Sequence, residues 1–126
     1  MLSWKKYIIS IFIICPKLYF FDTGLVAYLT KYSTPEILQN GSINGAIFEN
    51  YVVAEIKKSY ANCGKELLMY YYRDKDQNEI DVVLEKDGKL HPIEIKKSSN
   101  PTLSMVSNFE ILKKASLPVG QGAIIC

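Results

Sequence analysis

The sequence predicts an α/β chain with helices before and after an antiparallel sheet. Three observations carry this expectation. Residues 79–97 form two alternating apolar and polar runs around Asp87-Gly88, a two-residue turn signal whose positions both need positive φ. Residues 45–60 repeat apolar side chains at helical spacing. A hydrophobic fraction of 48% over 126 residues argues against disorder and allows one domain with a modest core.

The elements follow in order. Lys5-Lys6 precede the apolar run Tyr7–Cys15, which imitates a signal peptide. The run is too short to span a bilayer and no small-residue cleavage site follows it, which argues against membrane attachment through it. Residues 1–15 are an apolar N-terminal segment, within which residues 7–15 are expected to be a buried strand or helix, or a region that packs on something missing. Residues 16–44 are a lead-in. Leu18–Phe21 reads as a short strand, and Asp22 or Thr23 can cap a helix through Leu25, Val26, Tyr28 and Leu29. Pro35, Gly41 and several polar residues make 33–44 a turn-rich connection with one helical turn after Pro35. Residues 45–126 are the core. Asn44 is a candidate cap for a helix from Gly45 to about Tyr60, ended by Asn62 and Gly64. Residues 67–73, 79–86 and 89–97 form a meander, 102–116 a helix, and Ala123–Cys126 the start of another buried strand.

The meander carries the candidate site. With the turn at Asp87-Gly88, paired residue numbers sum to 175, so Asp81 lies opposite Glu94 and Glu79 opposite Lys96. Strict alternation puts Asp81, Val83, Glu94 and Lys96 on one face and Ile80, Val82, Leu84, Ile93 and Ile95 on the other. Two opposed carboxylates with Cβ atoms about 5 Å apart repel by roughly 3 kcal/mol at an effective dielectric of about 20. A hard divalent cation offsets that repulsion better than Lys96 alone. On the helix, Gly45, Phe48, Val52, Val53, Ile56 and Tyr60 share a face with Glu49 at its centre. A carboxylate there must find a partner. Glu49 either pairs with a buried hydroxyl or lysine, or joins the hairpin acids. Beside Asp81, Glu94 and Lys96 the second reading is favoured.

The chemistry this set suits is metal-assisted phosphodiester hydrolysis. Asp81, Glu94 and the Ile95 carbonyl are the candidate ligands for Mg²⁺ or Mn²⁺, Lys96 the residue that organises the attacking water, and Glu49 the auxiliary acid. The plain alternative is cross-strand surface pairing of Glu79 and Asp81 with Lys96. Other chemistries have little to work with. Cys15, Cys63 and Cys126 are scattered, with no Cys-x-x-Cys, which fits a reducing compartment. His91 is the only histidine and falls opposite Leu84, packed or at a sheet edge. Tyr70, Tyr71 and Tyr72 read first as strand residues. A net charge of +2 neither announces nor opposes nucleic-acid binding, and with Arg73 the only arginine among fifteen basic residues, contacts to DNA would go mostly to phosphates.

Glu49, Asp81, Glu94 and Lys96 resemble the P-D-(D/E)-x-K nuclease motif, in the variant with the first acid on a helix. The segments Pro16-Lys17-Leu18-Tyr19-Phe20-Phe21-Asp22-Thr23-Gly24-Leu25, Gly45-Ala46-Ile47-Phe48-Glu49, Tyr71-Tyr72-Arg73-Asp74, Glu79-Ile80-Asp81 and Pro92-Ile93-Glu94-Ile95-Lys96-Lys97-Ser98 resemble domain of unknown function 4143. In many bacterial and archaeal ATP-binding proteins this domain follows an AAA-type ATPase module. The resemblance implies a restriction-endonuclease-like core, an α+β mixed sheet flanked by helices, in a prokaryotic cytoplasmic protein with nucleic acid (DNA) and an ATPase module as partners and no membrane. No Gly-x-x-x-x-Gly-Lys-(Ser/Thr) occurs, so this chain is not the ATPase. The sequence stops within a presumed strand, which predicts a truncated core. The alternative function is a non-catalytic DNA-binding or protein-docking module of an ATPase.

Overall fold

A computed structural model of the protein describes residues 17–32 and 34–126. The expectation for residues 1–15 lies outside the described residues. The order is α1 (Thr23–Leu29), α2 (Pro35–Asn40), α3 (Asn44–Asn62), β1 (Leu68–Arg73), β2 (Glu79–Lys86), β3 (Lys89–Ile95), a 3-10 helix (Leu103–Lys114) and β4 (Ala123–Ile125). The four strands form one mixed sheet in the order β1-β2-β3-β4, with β1, β2 and β3 antiparallel and β4 parallel to β3.

The hairpin is as the sequence predicts. Asp87 (φ 52°) and Gly88 (φ 70°) both have positive φ, and the ladder runs Lys86↔Lys89, Glu85↔Leu90, Leu84↔His91, Val83↔Pro92 and Val82↔Ile93. Pro92 sits in an interior strand yet breaks no β2–β3 bond. Leu90 directs its N–H to Pro118 O (2.9 Å) and its carbonyl to Gly120 N (2.8 Å). Two residues on, Pro92 turns its donorless nitrogen the same way, where pairing with the last strand is interrupted before it resumes at Ile93↔Ala123.

Each face of the sheet is covered. Val52 and Val53 of α3 pack with Val82 and Ile95, and partly buried Phe48, Leu84 and Ile93 extend that layer. On the opposite face Tyr72, Ile80, Val83 and Leu90 pack with Leu112 and Phe109 of the 3-10 helix. The three-residue turn of that helix suits its sequence. Val106, Phe109, Leu112 and Ala115 recur every third residue, and a 3-10 helix stacks residues i and i+3. Helix α3 ends in a Schellman motif, with Gly64 (φ 63°) donating to Ala61 O (3.0 Å) and Lys65 to Tyr60 O (3.0 Å).

Four expectations need correction. Leu18–Phe21 is not a strand. Its backbone is held by a side chain instead: Phe20 N donates to Asn50 Oδ1 (2.7 Å) and Asn50 Nδ2 donates to Phe20 O (2.8 Å). Buried Asn50 therefore does what a neighbouring strand would do, and α3 buries a second face toward the lead-in. Asn44 does not cap α3, whose N-cap is Ile43 with no side-chain bond; Asn44 Nδ2 bonds Gln39 O. Gly45, placed in the apolar stripe, is exposed. Ile80 does not share a face with Val82. Tyr70 pairs with Val83 but Tyr72 with Ile80, so Asp81 and Val82 together oppose Tyr71 in a β-bulge. The bulge interrupts alternation, and Ile80 joins Val83 under the 3-10 helix.

Candidate functional site

The site lies where β2 and β3 part. The paired ladder ends at Val82↔Ile93. In a continued ladder the Ile95 N–H would meet the Ile80 carbonyl. It meets Asp81 Oδ2 instead, at 2.8 Å. The bulge thus replaces a main-chain acceptor with a carboxylate and fixes the rotamer of Asp81 through a charge-assisted bond. Lys96 closes the fork, with Nζ 2.8 Å from Glu94 Oε1 and 3.9 Å from Asp81 Oδ2. Asp81 and Glu94 are each 6% exposed, whereas the Lys96 side chain is 48% exposed. Glu94 Oε2 is buried and finds no hydrogen-bond partner among the described residues.

A second lysine enters from the lead-in. Lys17 Nζ lies 3.1 Å from Glu49 Oε1 and 4.0 Å from Asp81 Oδ1, makes a closer contact with Glu79 Oε1, and stands 5.4 Å from the Tyr71 ring centroid. Tyr19 OH donates to the same Glu49 oxygen at 2.6 Å. The two oxygens of Asp81 are thereby divided, Oδ1 toward Lys17 and Oδ2 toward Ile95 N and Lys96.

Burial pushes the Asp81 carboxyl above the ordinary carboxylate range. The Ile95 amide opposes this, the Glu49 charge adds to it, and the two lysines oppose it. Burial also pushes Glu94 up, against the Lys96 hydrogen bond and with the Asp81 charge. The Glu94 hydrogen bond holds Lys96 above the usual lysine value, with burial opposing. Burial alone would lower Lys17, but Glu79 and Glu49 raise it overall. Burial and Glu49 push the Tyr19 phenol up. Both lysines are therefore ammonium groups at neutral pH and neither is a proton acceptor there. Four carboxylates (Glu49, Glu79, Asp81, Glu94) and two ammonium groups leave a formal balance of two negative charges.

Raised carboxyl pKa values have a signed consequence. The folded chain holds protons on Asp81 and Glu94 more tightly than the unfolded chain does. Their contribution to stability grows as pH falls from neutrality through the raised values, and it is complete below the ordinary carboxyl pKa of about 4. Asp74 acts in the opposite sense. Hydrogen bonding, led by Asn78, holds its carboxyl below the usual range, so its contribution is lost as pH falls below about 4. In thermal melts without divalent ions, the stability difference between wild type and an Asp81→Asn/Glu94→Gln double variant is expected to narrow between pH 7 and pH 4. A difference that stays flat contradicts the assignment of these groups.

Asp81, Glu94 and Lys96 do come together, but through the bulge and the Ile95 amide rather than through the expected Asp81↔Glu94 pair, since the ladder ends at Val82↔Ile93. Glu49 reaches the same cluster through Lys17, and its partners are the hydroxyl and the lysine that the plainer reading required. Ile95, proposed for its carbonyl, contacts the site through its amide. Glu79 pairs with Lys17 rather than Lys96. His91 is satisfied, its Nδ1 donating to Gln121 O at 3.0 Å. Tyr72 is a core residue whose phenol, pushed up to about 12 by burial and Asp74, donates to Asp74 Oδ2 (3.2 Å). Sequence reasoning missed Lys17, Tyr19 and Glu79. The available signals were a lone lysine in the apolar run Pro16–Phe21 and the presence of all three residues in the segments that carry the family resemblance.

Among the described residues no three His, Cys, Asp or Glu side chains form a ready-made metal cluster. A divalent cation would rest on Asp81 and Glu94, with water completing its shell. That donor set suits Mg²⁺, which binds through one or two carboxylates and keeps several waters. Glu94 Oε2, buried and without a partner among the described residues, is the oxygen such an ion would use.

A mixed α/β domain with a carboxylate–lysine cluster at a strand fork is the class that fold and site define. The chain belongs to the family described as domain of unknown function DUF4143, whose model matches residues 44–126. It is 30% identical over 89 residues to the uncharacterized protein Mb2031c of Mycobacterium bovis and, to the same extent, to the uncharacterized protein Rv2008c of Mycobacterium tuberculosis. The alignments cover 71% of this chain and 19% of each relative, so the chain spans about a fifth of the length of the curated relatives it matches. No solved structure matches. Among the described residues no helix is long and apolar enough to cross a membrane.

Proposed function

We propose that this domain is a restriction-endonuclease-like, Mg²⁺-dependent phosphodiesterase acting on nucleic acid, with DNA as the preferred substrate. The observation that carries the reading is the buried Glu94 Oε2, without a partner among the described residues, beside Asp81 in a cluster that carries two negative charges in excess. A divalent ion bound there would stabilise charge developing on a phosphoryl oxygen and lower the pKa of an attacking water. The chain's own groups do the rest. The Ile95 amide holds Asp81 in one orientation. Lys96 keeps its proton and offers its half-exposed ammonium group to a phosphate oxygen or to the oxygen of the attacking water. Water adds to phosphorus, one P–O ester bond breaks, the water's proton leaves to solvent and the departing oxygen takes one up. Glu49 acts through Lys17 and Tyr19 rather than on substrate.

An AAA-type ATPase module in a prokaryotic cytoplasm is the natural companion, on the strength of the resemblance carried by Pro16–Leu25 and the core segments. A non-catalytic docking module is the second reading. It is favoured by exposed apolar side chains on the lead-in, among them Leu25 (50% exposed) and Tyr28 (78%). Cleavage assays on single-stranded, duplex and branched DNA separate the two. Mg²⁺-dependent cleavage is expected to fall at least about 100-fold in Lys96→Ala and to vanish in Asp81→Asn. Cleavage that survives both changes rejects the assigned site, and a folded wild type that cuts none of the substrates with Mg²⁺ or Mn²⁺ leaves the docking module.

A further inference from the structure

We propose that Lys17 is a tethered cation that fills the place of a second metal ion, so that the site takes one divalent ion rather than two. The inference rests on the metal reading of Asp81 and Glu94. Lys17 Nζ draws together three carboxylates from separate stretches of chain: Glu49 of α3 at 3.1 Å, Glu79 at the start of β2 in a closer contact, and Asp81 of the bulge at 4.0 Å. These three carboxylates are not a ready-made metal cluster; their charge is gathered around one point by an ammonium group, the task a hard cation would otherwise perform.

The amine is held there. Asn50 clamps the Phe20 backbone through two hydrogen bonds (2.7 and 2.8 Å), Tyr19 OH shares Glu49 Oε1, and the ammonium group stands over the Tyr71 ring. With Lys17 in place, Glu49 Oε1 is already shared by two donors and Asp81 Oδ1 faces a positive charge. Neither oxygen is available to a further ion. The opposite half of the cluster differs, because Glu94 Oε2, on a residue 6% exposed, has no partner among the described residues. Charge balance agrees. Lys17 leaves one negative charge on the Glu49–Glu79 half and Lys96 leaves one on the Asp81–Glu94 half, which together match one divalent ion. Lys17 is a positioning residue on this account. It holds Asp81 Oδ1 and sets the ion count without touching substrate.

The test counts bound Mn²⁺ by electron paramagnetic resonance in wild type, Lys17→Met and Lys17→Arg. The expected result is one more bound Mn²⁺ in Lys17→Met than in wild type, with the wild-type number restored in Lys17→Arg. An equal number in wild type and Lys17→Met overturns the proposal, since a merely structural lysine would not change the count. The wild-type count separately tests the metal reading: a value of zero rejects that reading, whereas the difference between variants bears on Lys17. If Lys17→Met is unfolded without metal, the same titration is followed by circular dichroism. Mn²⁺-dependent recovery of the fold is then required, and its absence overturns the proposal.

Discussion

Glu94→Gln is expected to stabilise the metal-free protein while abolishing its stabilisation by Mg²⁺. The first effect follows from the sign of the pKa shift. Burial and the Asp81 charge disfavour ionised Glu94 more than Lys96 favours it, so a neutral side chain of the same shape relieves the site. About 1 kcal/mol is the scale for relieving a strained functional position, or roughly 4 °C in Tm for a chain of this size. The second effect follows from linkage. An ion that binds only the folded state adds about 2.7 kcal/mol when its concentration is 100 times its Kd. Wild type should therefore melt below the variant without Mg²⁺ and above it at saturating Mg²⁺. Calorimetry with and without the ion reads both. Parallel curves that never cross would mean that Glu94 is a partner of Lys96 with no part in metal binding.

Ile80→Ala is expected to cost about 3 kcal/mol, the middle of the range for deleting a fully buried branched side chain. Ile80 has no exposure and packs with Tyr72, Val83, Leu90 and Leu112. It also anchors the bulge, since its pairing with Tyr72 sets where Asp81 and Val82 stand. A cavity there loosens the fork as well as the core, so Mg²⁺ stabilisation should weaken beyond the loss of Tm. Leu103→Ala is the control: its side chain is 88% exposed, and the change should stay within about 0.5 kcal/mol. Urea melts with unchanged m-value would confirm a loss of stability rather than a changed unfolded state. An Ile80→Ala cost no larger than that of Leu103→Ala would contradict the packing described.

The legible parts of this chain were those fixed by local chemistry. Two adjacent residues requiring positive φ set the hairpin, and the turn set the register of every pair down to Val82↔Ile93. Gly64 marked the end of α3 for the same reason. Pro35 and the Thr34 cap likewise fix α2 within a segment read as one helical turn. The illegible parts depended on distant partners. The bulge at Asp81 and Val82 is set by how β1 registers on β2, and no residue type in Glu79–Leu84 announces it. It matters because strict alternation would leave Asp81 beside Val83, which faces the 3-10 helix rather than α3. Leu18–Phe21 looked like a strand because its composition is that of one, but its backbone partner is the side chain of Asn50, thirty residues away. Lys17 was hidden for the same reason, since the acids that define its role lie on α3 and β2. The three-residue period of Val106, Phe109, Leu112 and Ala115 was visible and indicates a 3-10 helix more directly than the α-helical spacing does.

Isothermal titration of Mg²⁺ into the wild-type protein and into Asp81→Asn tests the central claim most directly. The Asn side chain can still accept the Ile95 hydrogen bond, so the fork keeps its shape while losing one ligand charge. The account predicts saturable binding by wild type and its loss in the variant. Equal binding by both proteins, or none by either, would contradict it.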